Sequence, residues 1–212
     1  MIKLLFFSSL LSLSYSFVYD LCVVGATSGL GRELIYQTII KKKSVLALTC
    51  NTNNKIYLPY RADSFNYKET NESMSGNIDI DTYWGDNTYQ YKHIVFCTSA
   101  KPFESDYSDI ITKKITSNLP EQCQSMSLIS AYGAGDSLED ANVGIQVMND
   151  VYLKDVYRAK NRQEDTINCY NERDICKYIY RPNALSYGKT FLQSVSRADF
   201  AERILDDIYG MD

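Results

Sequence analysis

The residues whose spacing is most specific for chemistry are Gly25, Gly29 and Gly31, within Val24-Gly25-Ala26-Thr27-Ser28-Gly29-Leu30-Gly31-Arg32-Glu33. An apolar run, Leu21-Cys22-Val23-Val24, precedes them, and a helix-period segment follows from Leu30 to Ile40. In that setting each glycine has a mechanical task. Gly25 permits a tight turn, Gly29 lets a pyrophosphate approach the backbone, and Gly31 allows the helix to pack closely on the strand. Amides exposed at the helix start then meet the phosphates, so the pattern predicts a dinucleotide site. A Walker-type site is excluded, because no Lys-Ser or Lys-Thr follows the glycines.

Other chemistries are narrowed by what is scarce. His93 is the single histidine among 212 residues, so Ser-His-Asp or Cys-His hydrolysis would have to pass through it, and zinc sites with several His ligands are impossible. It opens the apolar run His93-Ile94-Val95-Phe96-Cys97 and reads as a strand-end side chain. The six cysteines, Cys22, Cys50, Cys97, Cys123, Cys169 and Cys176, include no CxxC pair and no metal-ligand spacing, so no metal is expected. Cys22 and Cys97 sit in apolar runs, which favours reduced buried thiols over a disulfide framework. A net charge of −4 with scattered Lys and Arg provides no basic field for nucleic acid, and none is expected as a partner.

The elements that must hold such a turn follow from the pattern. Hydrophobic residues make up 45% and charged residues 23%, which excludes disordered and coiled-coil classes, and the length suits one domain. From residue 20 short apolar runs alternate with helix-period segments, as in βαβ units. Leu30, Leu34, Thr38 and Ile39 share one helical face, and Lys41-Lys42-Lys43 suits the negative end of that helix. A second strand is predicted at 44–49, an irregular insertion around a third strand over 51–91, with apolar bursts at 56–58 and 78–80, a fourth strand at 94–97 and a fifth at 125–130. Helices are predicted near 106–118, from about 150 to 170 and over 198–209, with a strand at 178–180. The expected class is α/β, a Rossmann-type doubly wound, mostly parallel sheet with helices on both faces.

Residues 1–16 have the order of a secretory signal: one Lys, an apolar stretch too short to span a bilayer, then Ser14 and Ser16. Cleavage after Ser16 would leave residues 17–212 as the folded domain. Phe17 just beyond resembles plastid-targeting presequences, so the expectation is secretory or plastid routing, with an uncleaved cytoplasmic extension as the other reading. Asn71-Glu72-Ser73 would be an acceptor for glycosylation only in the secretory route.

The GxxxGxG arrangement of Gly25, Gly29 and Gly31 is similar to the nucleotide motif of short-chain dehydrogenases/reductases. Further landmarks resemble the atypical NAD(P)H-binding, NmrA-like branch: Thr98-Ser99-Ala100, Ser130-Ala131-Tyr132-Gly133, Lys160 with Glu164, Arg181-Pro182-Asn183-Ala184-Leu185, and Ser196-Arg197-Ala198-Asp199-Phe200-Ala201. The resemblance covers nearly the whole chain from residue 20. It implies NAD(P) at the carboxyl edge of the sheet, with Gly25, Thr27, Ser28, Gly29, Leu30 and Gly31 along the diphosphate. Thr98, Ser99 and Ala100 would lie on the ribose side, Lys160 at the nicotinamide ribose, and Asn183 and Ala184 at the nicotinamide end. The second strand ends in Thr49-Cys50-Asn51, without the acid that commonly holds an NAD ribose. Arg32 or Lys55 could meet a 2′-phosphate, which favours NADP, with NAD the other candidate.

The pattern departs from its catalytic members at one position. There a Tyr stands four residues before the Lys, which lowers the phenol's pKa for proton exchange; here that position is Val156. Tyr157 is adjacent but turned by about 100° on the helix, and Tyr152 is two turns away. Ser130 and Tyr132 are the remaining candidates beside Lys160 for catalysis. The expectation is NADPH-dependent hydride transfer to a small conjugated acceptor that takes its proton from solvent. The alternative is a non-catalytic NAD(P)-binding redox-sensing regulator or assembly factor. A sugar-nucleotide epimerase is disfavoured, since only about thirty residues follow Pro182 and the resemblance implies that those enzymes need a substrate domain there.

Overall fold

A computed structural model describes residues 17–50, 78–82, 88–98, 107–183, 185–186 and 195–210. The signal-like segment, most of the expected insertion with its burst at 56–58, the triplet at Asn71, and Lys55, Ser99, Ala100 and Ala184 lie outside the described residues.

Six strands form one sheet: β1 (Val18–Val24), β2 (Val45–Thr49), β3 (Ile78–Thr82), β4 (Gln90–Phe96), β5 (Ser125–Ile129) and β6 (Cys176–Tyr180). Their order is β3-β2-β1-β4-β5-β6, and every pairing is parallel. This is the doubly wound Rossmann arrangement, in which the strand order reverses beside β1. Strands covered on both faces are apolar on both, which is why the buried parts of β1, β2 and β4 read as continuous runs, while β5 buries Ser125 and Ser127 beside Met126 and Leu128.

Period-2 geometry divides those runs between two cores. Cys22, Val24, Leu46, Leu48, Ile94, Phe96, Met126 and Leu128 pack on one face against Ile111 and Ile115 of α2 (Ser108–Thr116) and Ile167 of α4 (Lys154–Cys169). Leu21, Val23, Val45, Ala47 and Val95 pack on the other against Leu34 and Ile35 of α1 (Gly29–Ile40) and Ile204, Leu205 and Ile208 of α5 (Arg197–Tyr209). Between β5 and α4 a short α3 (Val143–Val147) runs into a π-helical turn (Met148–Tyr152).

Two expectations change, at the start of the long helix and at His93, while the lysines after Ile40 stand at the helix end as expected. The long helix begins at Lys154, because Leu153, at φ −120° and ψ 18°, leaves helical geometry and separates it from the preceding turns. Lys41, Lys42 and Lys43 lie beyond the last turn of α1; Lys42 is left-handed at φ 59°, and their amides close onto the carbonyls of Gln37, Ile39 and Thr38. His93 sits inside β4, fully buried, with Nδ1 2.9 Å from Ser125 Oγ and its ring edge-on to Tyr209. The pairing of β4 with β1 extends back to Gln90 and carries His93 into the sheet interior. All six cysteines are free, with Cys22, Cys97 and Cys123 buried.

Candidate functional site

Because helices leave β1 and β4 on opposite faces, their carboxyl ends part and leave a crevice. A cavity of about 300 Å³ lies there. Ser28, Gly29 and Leu30 of the β1–α1 turn form one wall, Cys97 and Thr98 after β4 the next, and Ile129, Ser130 and Ala131 at the end of β5 a third. Val156 and Lys160 of α4, with Pro182, Leu185 and Arg197, complete it.

The turn is built as the glycine spacing requires. Gly25 has φ +86°, and a Cβ there would stand 2.9 Å from the Cys97 carbonyl carbon and oxygen. Only glycine lets the end of β4 come this close. At Gly31 a Cβ would meet Gly25 O at 2.5 Å, so the helix start nests on its own turn. Ser28 caps α1, its Oγ accepting from Gly31 N at 2.9 Å. The amides of Gly29 and Leu30 belong to the first helical turn, which has no carbonyl acceptors within the helix, and both residues line the cavity. They place the positive end of the helix dipole on the cavity wall. Among the described residues no carboxylate lines it, and its two charged residues, Lys160 and Arg197, are cationic.

Lys160 is 4% exposed rather than solvated, and its Nζ donates to Thr98 O at 2.6 Å and Ile129 O at 2.8 Å. It therefore clamps the ends of β4 and β5 together beneath the cavity. Glu164, one turn on, pairs instead with Arg181, whose Nε and guanidinium nitrogen donate to its two oxygens at 3.0 and 2.6 Å. Lys160 and Glu164, both buried, thus reach different partners, because α4 packs this face onto the sheet. The Arg181 guanidinium is held above its usual pKa chiefly by that hydrogen bond. Burial pushes the Cys97 thiol up to about 12, against the opposing pull of Lys160, which leaves it protonated and a poor nucleophile at neutral pH.

Val156 faces the cavity with Lys160, so the position one turn before the lysine presents two methyl groups where a phenol would project. Tyr157 points the other way, its hydroxyl donating to Tyr132 O at 2.9 Å. Tyr132 is not brought to the cavity: its hydroxyl donates to Asp140 O at 2.7 Å, because the chain turns through Gly133 at φ +91°. Ser130 is brought there, 5% exposed, and its Oγ is buried with no protein partner. Such a hydroxyl is costly unless a ligand or water meets it.

Of the other expected residues, Thr98 lines the cavity, while Thr27 and Arg32 are half-buried in the turn and first helical turn without lining it, and Asn183 is exposed beyond β6. Sequence reasoning did not single out Arg197 or Leu185 as lining residues. Arg197 carried only a motif signal, and the approach of the segments after β6 to the α1 turn has none.

By sequence the chain matches no protein-family model and no curated relative. Its fold does match solved structures. One is ChuY, an anaerobillin reductase from Escherichia coli, at 14% identity and a TM-score of 0.61, covering 88% of this chain and 89% of that one. Another is an oxidoreductase from Lactococcus lactis, at 14% identity and TM-score 0.60, covering 90% and 84%. A third is a UDP-N-acetylglucosamine 4-epimerase from Bacillus cereus, at 13% identity and TM-score 0.59, covering 91% and 75%. The shared feature is the Rossmann fold.

The residues present fit a nicotinamide dinucleotide. Gly29 leaves the turn without a side chain over the cavity, no carboxylate lines the walls among the described residues, and the orphaned Ser130 Oγ supplies a hydrogen-bonding group opposite the turn. Among the described residues no helix is long and apolar enough to cross a membrane.

Proposed function

We propose that the chain is an atypical short-chain dehydrogenase/reductase that binds NADP(H) in this crevice and reduces a small conjugated acceptor of the flavin or quinone kind. The observation that carries the reading is Val156 on the cavity wall beside Lys160. A site with no phenol at that position suits an acceptor that needs no proton from the protein during hydride transfer. The coenzyme, when bound, supplies the hydride. The chain's part is to orient: the Gly29 and Leu30 amides and the α1 dipole meet the diphosphate, Thr98 faces the ribose side, and Ser130 offers its hydroxyl to the nicotinamide or the acceptor. Val156, Leu30 and Leu185 give the acceptor apolar surface, and the one proton that balances the hydride comes from solvent.

The preference for NADP over NAD rests on the end of β2, where Thr49 is buried, Cys50 is exposed and no acid stands at either position. Membership of the NmrA-like branch rests on the landmark residues, and secretory or plastid routing on residues 1–16. Titration with NADPH and NADH, followed by oxidation of NADPH with a panel of flavins, quinones and enones, tests the reading. The expected result is tighter NADPH binding and turnover above the buffer rate. Failure to bind either coenzyme overturns it, and tight binding without turnover replaces it with the non-catalytic regulator or assembly factor.

A further inference from the structure

Gln163 of α4 is fully buried, one turn beyond Lys160, and faces neither the cavity nor solvent. Its Nε2 lies 2.7 Å from Thr112 Oγ1, 3.2 Å from Ser108 O and 3.2 Å from Thr98 Oγ1. The amide orientation follows from two of these partners. Ser108 O can only accept, and Thr112 Oγ1 already gives its own proton to Ser108 O at 2.8 Å, so it too must accept from Gln163. The nitrogen rather than the oxygen of the amide therefore lies among the three oxygens, its two N–H bonds shared among them, and Oε1 is left buried without a partner. A buried amide oxygen without a partner costs free energy, so this arrangement sacrifices one group to keep the NH₂ where it is.

The consequence falls on Thr98, which lines the cavity and whose carbonyl receives Lys160. With an amide NH₂, which cannot accept, set 3.2 Å from its oxygen by α4, the Thr98 hydroxyl must send its own proton elsewhere. We infer that Gln163 is a positioning residue of the nucleotide site: it fixes the Thr98 hydroxyl as a donor toward the cavity, ready for an acceptor oxygen of the bound coenzyme. The inference rests on the coenzyme reading above. It adds that one buried amide, touching no ligand, sets the polarity of a group that does.

The test is a double-mutant cycle on coenzyme binding by calorimetry, with Gln163→Met and Thr98→Val, both close in size to the residues they replace. Loss of one hydrogen bond corresponds to about fivefold weaker NADPH binding for each single variant. Because Gln163 acts through the Thr98 hydroxyl, the double variant binds no more weakly than Thr98→Val alone. Should Gln163→Met not fold, Thr112→Val removes the shortest of the three amide contacts without opening a cavity, and it weakens NADPH binding about twofold only while Thr98 is present. Additive losses in the double variant, or unchanged NADPH affinity in Gln163→Met and Thr112→Val beside a wild-type chain that binds it, overturn the inference and leave the coenzyme reading intact. A wild-type chain that binds neither NADPH nor NADH overturns both.

Discussion

Gly31 illustrates how one residue carries the turn. A Cβ there would stand 2.5 Å from Gly25 O and 2.9 Å from Ser28 Oγ. The first contact is backbone, so relief requires moving the turn itself. Gly31→Ala is expected to destabilise the chain by roughly 1–3 kcal/mol in urea unfolding and to abolish coenzyme binding in the same preparation. A variant that binds NADPH normally would show that the turn tolerates a displaced helix start. The need for glycine at position 31 was legible in the sequence because its reason is local: a Cβ there would meet Gly25, Ala26 and Ser28, all within seven residues, whereas Gly25 answers to Cys97 across the sheet. Tyr132 was not, because its direction is set by Asp140 and by Tyr157, whose hydroxyl holds its carbonyl from α4.

Among the elements, the starts of three strands are joined by one carboxylate. Asp20 of β1 accepts from Ser44 N and Ser44 Oγ before β2, each at 2.9 Å, and pairs with Lys92 of β4 at 3.2 Å. Burial alone would raise its pKa, yet the Ser44 hydrogen bonds and Lys92 outweigh that and hold it below the usual carboxylate value. A lowered folded pKa means stability that is present above the unfolded value, about 3.9, and is lost as pH falls through the folded one. Urea unfolding at pH 7 and pH 3 is therefore expected to show a smaller acid loss in Asp20→Asn than in the wild-type chain. An equal loss in both would remove Asp20 from the acid response. On α5 the buried face is Phe200, Ala201, Ile204, Leu205 and Ile208, and Leu205 is fully buried while Glu202 is exposed. Leu205→Ala is expected to cost about 2–5 kcal/mol, against a few tenths for Glu202→Ala, by the same measurement. Equal effects would mean that α5 does not pack as described.

For the molecule as a whole, binding at the crevice should be felt by every element around it, since the walls come from β1–α1, β4, β5, α4 and the segments after β6. A ligand present at a hundred times its dissociation constant stabilises the folded state by about 2.7 kcal/mol. Thermal unfolding with saturating NADPH is accordingly expected several degrees above the ligand-free transition. No shift with either coenzyme at millimolar concentration would count against the nucleotide reading.

Taken by itself, the amino-acid sequence determined the strand and helix series of the described residues and the glycine turn between β1 and α1. The apolar runs, the 3.6-residue stripes and the glycine spacing are periodic patterns set by local backbone geometry, and such patterns are written in order along the chain. Tertiary structure alone decided what the polar groups of α4 do. Lys160 bonds carbonyls 62 and 31 residues distant, Glu164 turns to Arg181, and Gln163 reaches Thr98, 65 residues back. Those partners meet only because the sheet order sets β4 between β1 and β5 and lays α4 across them. A long polar side chain finds its hydrogen bonds in space, so its role follows from packing and not from its place in the chain.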